Sequence, residues 1–154
     1  MPKTYIILFL LVSSGILFML SCGKKDHKTS RHGENKSHFE SSMCISCHIP
    51  GGSGKDLFTV SGSVYDEARL NVQPGAVVKL YTQPKGQGKL VATLQTDDKG
   101  NFFTTENIDL SKGLYATLVG TPGVKDDIKH MPDRILKGDC NTCHGVFTET
   151  LGID

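Results

Sequence analysis

The chain has 154 residues, 38% of them hydrophobic and 21% charged, enough for one small packed core and too few for a large multidomain enzyme. Its 17 basic side chains nearly match 16 acidic ones. With no basic patch and no interleaved aromatics, that balance counts against a nucleic-acid partner.

At the start, Lys3 precedes a mostly apolar run from Tyr5 to Leu20, and Ser21 and Cys22 follow. The run is short against the ~20 residues needed to span a bilayer, so residues 1–21 read as an export signal, with an uncleaved anchor helix as the alternative. The segment Phe18-Met19-Leu20-Ser21-Cys22 with its polar sequel resembles a bacterial lipoprotein signal. That resemblance implies cleavage before Cys22, lipidation of Cys22, and a mature protein anchored by lipid on the periplasmic side or the cell surface. Gly23 stands where inner-membrane retention uses an aspartate, which points to the outer membrane. The space outside is oxidising.

Residues 22–43 have almost no apolar content and no period, so they read as a solvated tether of about 25 Å mean span. His27, His32 and His38 are exposed tether residues on this reading. His38, six residues before Cys44, is close enough to the next segment to warrant a second role.

Residues 44–56 open with Cys44-Ile45-Ser46-Cys47-His48, and the same C-x-x-C-H arrangement returns as Cys140-Asn141-Thr142-Cys143-His144. Three chemistries compete for these residues. Covalent haem attachment uses all of them: Cys44 and Cys47, then Cys140 and Cys143, would join two porphyrins, with His48 and His144 as proximal iron ligands. A four-cysteine zinc site leaves both histidines idle. With 6 His in 154 residues, chance would place one after both pairs in roughly one case in several hundred. The third is a pair of C-x-x-C disulfides, which would serve as staples, or a redox dithiol, whose thioredoxin-like form needs a βαβ context that the sequence lacks.

Between the motifs, residues 57–120 alternate. Phe58, Val60 and Val64 keep a two-residue period, Val78 and Leu80 alternate with Val77, Lys79 and Tyr81, and Leu90, Ala92 and Leu94 alternate with Val91, Thr93 and Gln95. Two further runs, around Phe102 and around Leu114 to Val119, complete five half-buried strands separated by Gly- and Pro-bearing turns. The fold class is therefore mainly β, a small antiparallel β-sandwich of five to seven strands with an attachment motif before and after it. Asp98-Lys99-Gly100 is placed to close a hairpin with Gly100 at positive φ, returning Phe102 to the core. The stretch resembles the carboxypeptidase regulatory-like (transthyretin-like) domains at Gly62-Ser63-Val64, Gly75-Ala76-Val77, the corner Thr96 to Phe102, and Gly113-Leu114-Tyr115. That resemblance implies a scaffold without catalytic residues.

As a whole the chain resembles a small dihaem c-type cytochrome lipoprotein. The resemblance implies two covalently bound haem c groups and one-electron exchange with other redox proteins of an exported chain; with no Ser-His-Asp set, paired carboxylates or phosphate-cradling loop in the sequence, an electron carrier is expected and an enzyme is not. A haem protein with an open iron (a peroxidase or ligand sensor) and a non-haem surface binding module are the rivals. Candidates for the sixth iron position are His130 and Met131, in a Pro-stiffened loop, and His38. Residues 121–154 hold the return: 19 residues, Thr121 to Asp139, are long enough to bring the second motif back to the first, by a sixth short strand or an extended arm, with His130 and Met131 over one porphyrin.

Overall fold

The computed structural model describes residues 28–38, 43–123, 127–146 and 148–153. The export signal and Cys22 lie outside them.

Seven strands form two sheets. They are β1 (Val60–Tyr65), β2 (Val77–Gln83), β3 (Gln87–Gln95), β4 (Asn101–Thr104), β5 (Tyr115–Val119), β6 (Ile128–His130) and β7 (Leu151–Gly152). One sheet has the order β4-β1-β7 and the other β3-β2-β5-β6. Every pairing is antiparallel except β1 with β7, where Val64 and Tyr65 face Leu151 and Gly152 in parallel. The expected mainly β sandwich is therefore the fold, and all five strands read from the sequence are present.

Alternation explains the layers. Val60 and Val64 from β1 and Phe102 from β4 meet Val78 and Leu80 from β2, Leu94 from β3 and Leu118 from β5 across one buried cluster, which Leu114, Ile135 and Ile153 extend. Each such side chain contributes roughly 1.5–3 kcal/mol on burial.

Two local expectations are corrected. Gly100 does adopt φ +70 and donates its amide to Asp97 O, but β3 and β4 belong to different sheets. The turn is thus a corner between layers, and no hairpin forms between adjacent strands. The two-residue period assigns Phe58 to the first strand, whereas it lies before β1 and its ring turns to the site described below.

The polar segment expected as a solvated tether is docked over residues 28–38. Ser30 N donates to Phe103 O and Thr105 N to Lys28 O, while Thr29 makes an antiparallel bridge to Thr104. Ser30 is fully buried, its hydroxyl donating to Gln95 O at 2.7 Å. The physical reason is the open edge of β4. Its backbone groups need partners, and the extended backbone of Lys28 to Ser30 supplies them.

The chain then runs back to β1. β6 pairs with β5, Ile135 N and O exchange bonds with Leu114, and Gly138 and Asp139 run beside β1, with Ser61 N donating to Gly138 O at 2.7 Å and a parallel bridge between Ser61 and Asp139.

Candidate functional site

Both C-x-x-C-H segments fold into the same local shape. Cys44–Ser46 and Cys140–Thr142 are single 3-10 turns. In the first, Cys44 O accepts the amides of Cys47 (3.2 Å) and His48 (3.0 Å). In the second, Cys140 O accepts those of Cys143 (3.2 Å) and His144 (3.0 Å). One tight turn thus puts both cysteines and the histidine on neighbouring positions of a single loop, as attachment to one flat group requires.

Each histidine is then oriented by a backbone carbonyl. His48 Nδ1 lies 2.8 Å from Asp56 O, and His144 Nδ1 lies 3.1 Å from Glu149 O. A carbonyl only accepts, so the ring nitrogen facing it carries the proton, and the lone pair is left on Nε2. That is the tautomer of an iron or other metal ligand.

The surroundings of the two motifs differ. His48 is 9% exposed. Its ring stacks on Phe58 with centroids 3.9 Å apart and planes 4° from parallel, and Phe58 stacks in turn on Phe103 at 4.7 Å. Gly54 allows this packing, because a β-carbon there would fall 2.7 Å from the His48 ring. Beside it opens a cavity of about 1030 Å³ whose lining includes Cys44, Cys47, His48, His38, Phe58 and Phe103. His38 stands 5.8 Å from His48, centroid to centroid. The second motif is more exposed: His144 is only half-buried and also has the Thr148 hydroxyl 3.1 Å from its Nδ1.

β1 is where the motifs meet. Cys44 is next to the Ser61 hydroxyl. Cys140 packs against the core cluster, and a β-carbon on Gly62 would come within 3.0 Å of Cys140 Cβ. Asn141 Oδ1 accepts Ser63 N at 3.0 Å, and its Nδ2 donates to Ser63 Oγ at 3.1 Å. Asp139, just ahead of the second turn, receives the amide of Ile45 from the first.

The thiols are correspondingly unequal. Burial raises Cys44, the Asp139 charge adds to that, and the Ser61 hydroxyl opposes it. Burial, then Asp139, Cys143 and Cys44, push Cys140 up to about 12. Exposed Cys47 is lowered, chiefly by the Ser53 hydroxyl and then by Ser46. Burial raises the Asp139 carboxyl against the amides of Ile45 and Asn141.

Of the three candidates for a second axial position, only His38 stands beside a motif histidine. His130 is in β6 with its Nδ1 3.0 Å from Thr117 Oγ1, and Met131 packs against the core with its amide on Ala116 O. Both belong with the four-stranded sheet, the layer opposite β1, because β6 pairing with β5 fixes them there. Among the described residues, no group of three or more His, Cys, Asp and Glu side chains is gathered in a way that could hold a metal ion. No sequence pattern marks Asp56, Glu149, Phe103 or Asp139 as part of the site.

No protein-family model matches the chain, and no curated protein and no solved structure shows significant similarity to it.

Proposed function

We propose that the chain is an exported, lipid-anchored dihaem c-type cytochrome that passes single electrons between partner redox proteins. The observation that carries the reading is the repeated turn: twice, on unrelated stretches of chain, C-x-x-C-H closes in one 3-10 turn with histidine Nδ1 held by a carbonyl. A four-cysteine zinc site or a pair of staples gives no reason for either histidine to be oriented.

The residues suit the group. Cys44 with Cys47 would hold one haem and Cys140 with Cys143 the other, with Nε2 of His48 and of His144 as proximal ligands. The first cavity is at the upper end of the range for a single large organic ligand. It offers aromatic walls and a second histidine, His38. Met43 and Ile49 beside the first motif and Leu136 and Val146 beside the second are between 40% and 65% exposed, apolar surface that a porphyrin would cover.

When bound, each haem supplies an iron that gains and loses one electron without any bond being made or broken. The protein supplies the rest. The thioether pairs keep the group from leaving, the Asp56 and Glu149 carbonyls fix the imidazole planes, and the Phe58–Phe103 stack keeps water from one face of His48. The first site has two histidines at hand, whereas His130 and Met131 are held elsewhere. This placement favours an open second iron, the ligand-binding variant of the same reading.

A pyridine haemochrome assay on the mature protein tests the proposal. Two c-type haems per chain are expected, and none refutes it. Carbon monoxide binding to one of the two ferrous haems separates the open-iron variant from a protein with both irons fully ligated.

A further inference from the structure

Asp139 occupies an unusual place. It precedes the second turn, yet its carboxylate receives the backbone amide of Ile45 inside the first. Its backbone bridges to Ser61 of β1, the residue whose hydroxyl is next to Cys44. Its Oδ1 is buried and has no hydrogen-bond partner among the described residues. A carboxyl oxygen left without a partner in a protein interior is costly. Its position is explained neither by the sandwich core, which is apolar, nor by one motif alone. It stands at the seam between two attachment turns, close enough to act electrostatically on both first cysteines.

We infer that Asp139 is a shared charge joining the two attachment sites, so that one carboxylate sets the redox equilibria of both haems together. The inference rests on the dihaem reading and names a residue that tunes it. In the exchange concerned, a reduced partner protein gives up one electron, an oxidised one receives it, and each iron holds it in between. Adding that electron next to a fixed negative charge in a poorly solvated seam is disfavoured, so the carboxylate holds both centres towards the oxidised form. Because the same residue bonds to the first motif and begins the second, its effect cannot be confined to one.

The test uses Asp139→Asn, which keeps the shape and removes the charge, with Asp139→Ser as a second variant should the first fold poorly. In the haem-loaded full-length protein, a mediated redox titration is expected to show both reduction equilibrium constants rising by about tenfold. A tenfold change is about 59 mV for a one-electron couple, the scale on which a nearby unit charge acts at an effective dielectric of about 20. Asn141→Ala, which loosens the seam without changing charge, should not move both in this way. A shift confined to one haem, or none, overturns the inference. A second arm uses the unloaded full-length chain and iodoacetamide, with Cys47 as internal standard. Asp139→Asn should speed alkylation of Cys44 and Cys140 together, and unchanged ratios overturn the inference. If the haemochrome assay finds no haem, the proposed function and the inference fall together, whereas two haems whose equilibria do not move overturn the inference alone.

Discussion

Replacing Gly138 with alanine should separate the second motif from β1. Gly138 is buried and accepts the Ser61 amide at 2.7 Å. A β-carbon on it would overlap the Thr59 carbonyl oxygen and come within 2.9 Å of Val60 Cα. Those atoms are backbone and cannot swing aside, so the two strands must part. Overpacking of this kind costs about 1–3 kcal/mol, and a Ser61 amide left buried without its acceptor adds about 1–3 kcal/mol. Together they remove about 2–6 kcal/mol from a total stability of roughly 5–15 kcal/mol. Gly33 supplies the control: it has φ +83 but open space around it, so Gly33→Ala carries only the left-handed backbone penalty of about 1–2 kcal/mol. Urea titration followed by tyrosine fluorescence gives both values, since the chain has 4 Tyr and no Trp. A Gly138→Ala loss no larger than that of Gly33→Ala would refute the close approach of residue 138 to β1.

Three further outcomes are expected. In the unloaded chain at pH 8, Cys140, with its thiol pushed up to about 12, has a thiolate fraction of about one in ten thousand, while exposed Cys47 is lowered by the Ser53 and Ser46 hydroxyls and is the better nucleophile; mass spectrometry after brief alkylation should find Cys47 modified and Cys140 intact. Because the folded state raises the Cys140 thiol above its unfolded value, the associated stability is complete below about pH 9 and is lost as pH rises towards 12, by up to about 4 kcal/mol in the unloaded chain; flat stability over that window would contradict the burial of Cys140. His38→Ala should turn one haem of the loaded protein from low- to high-spin in the ferric optical spectrum, an unchanged spectrum removing His38 as a ligand, and Cys22→Ser should release the protein from membranes with its haem content unaltered.

The strands were legible where one face is core and the other is solvent, because burial then writes a period of two into the sequence. β2 is the clear example, with Val78 and Leu80 buried between half-buried Lys79 and Tyr81. β1 hides its rule. Ser61 and Ser63 are nearly as buried as Val60 and Val64, since Cys44 covers Ser61 and Asn141 covers Ser63 from 78 positions away, and nothing local in the sequence announces that cover. β6 is wholly exposed and β7 is two residues long, so neither leaves a pattern. At the site, the cysteine spacing was readable because a covalent reaction fixes it. The carbonyls of Asp56 and Glu149 were not, because a backbone acceptor has no side-chain signature. His130 and Met131 looked available as a loop pair; pairing of β6 with β5 is a long-range event that claimed them for the sheet.

The register of β1 ties scaffold and site into one problem. Val60, Gly62 and Val64 face the core, while Ser61 and Ser63 face outward to meet Cys44, Gly138 and Asn141. A slip of one residue would turn every side chain to the opposite face, putting serines in the apolar cluster and valines under the motifs. The apolar core therefore selects the register, and the register in turn sets which polar groups are presented to the two turns. Gly62 is the point where both demands meet, since a side chain there would press on Phe102 Cζ at 2.6 Å and on Cys140 Cβ at 3.0 Å. A β-sandwich inserted between two copies of one motif is thus a means of bringing them together: β1 meets Cys44 through Ser61 and Asn141 through Ser63, while Cys140 packs against Gly62 and the core.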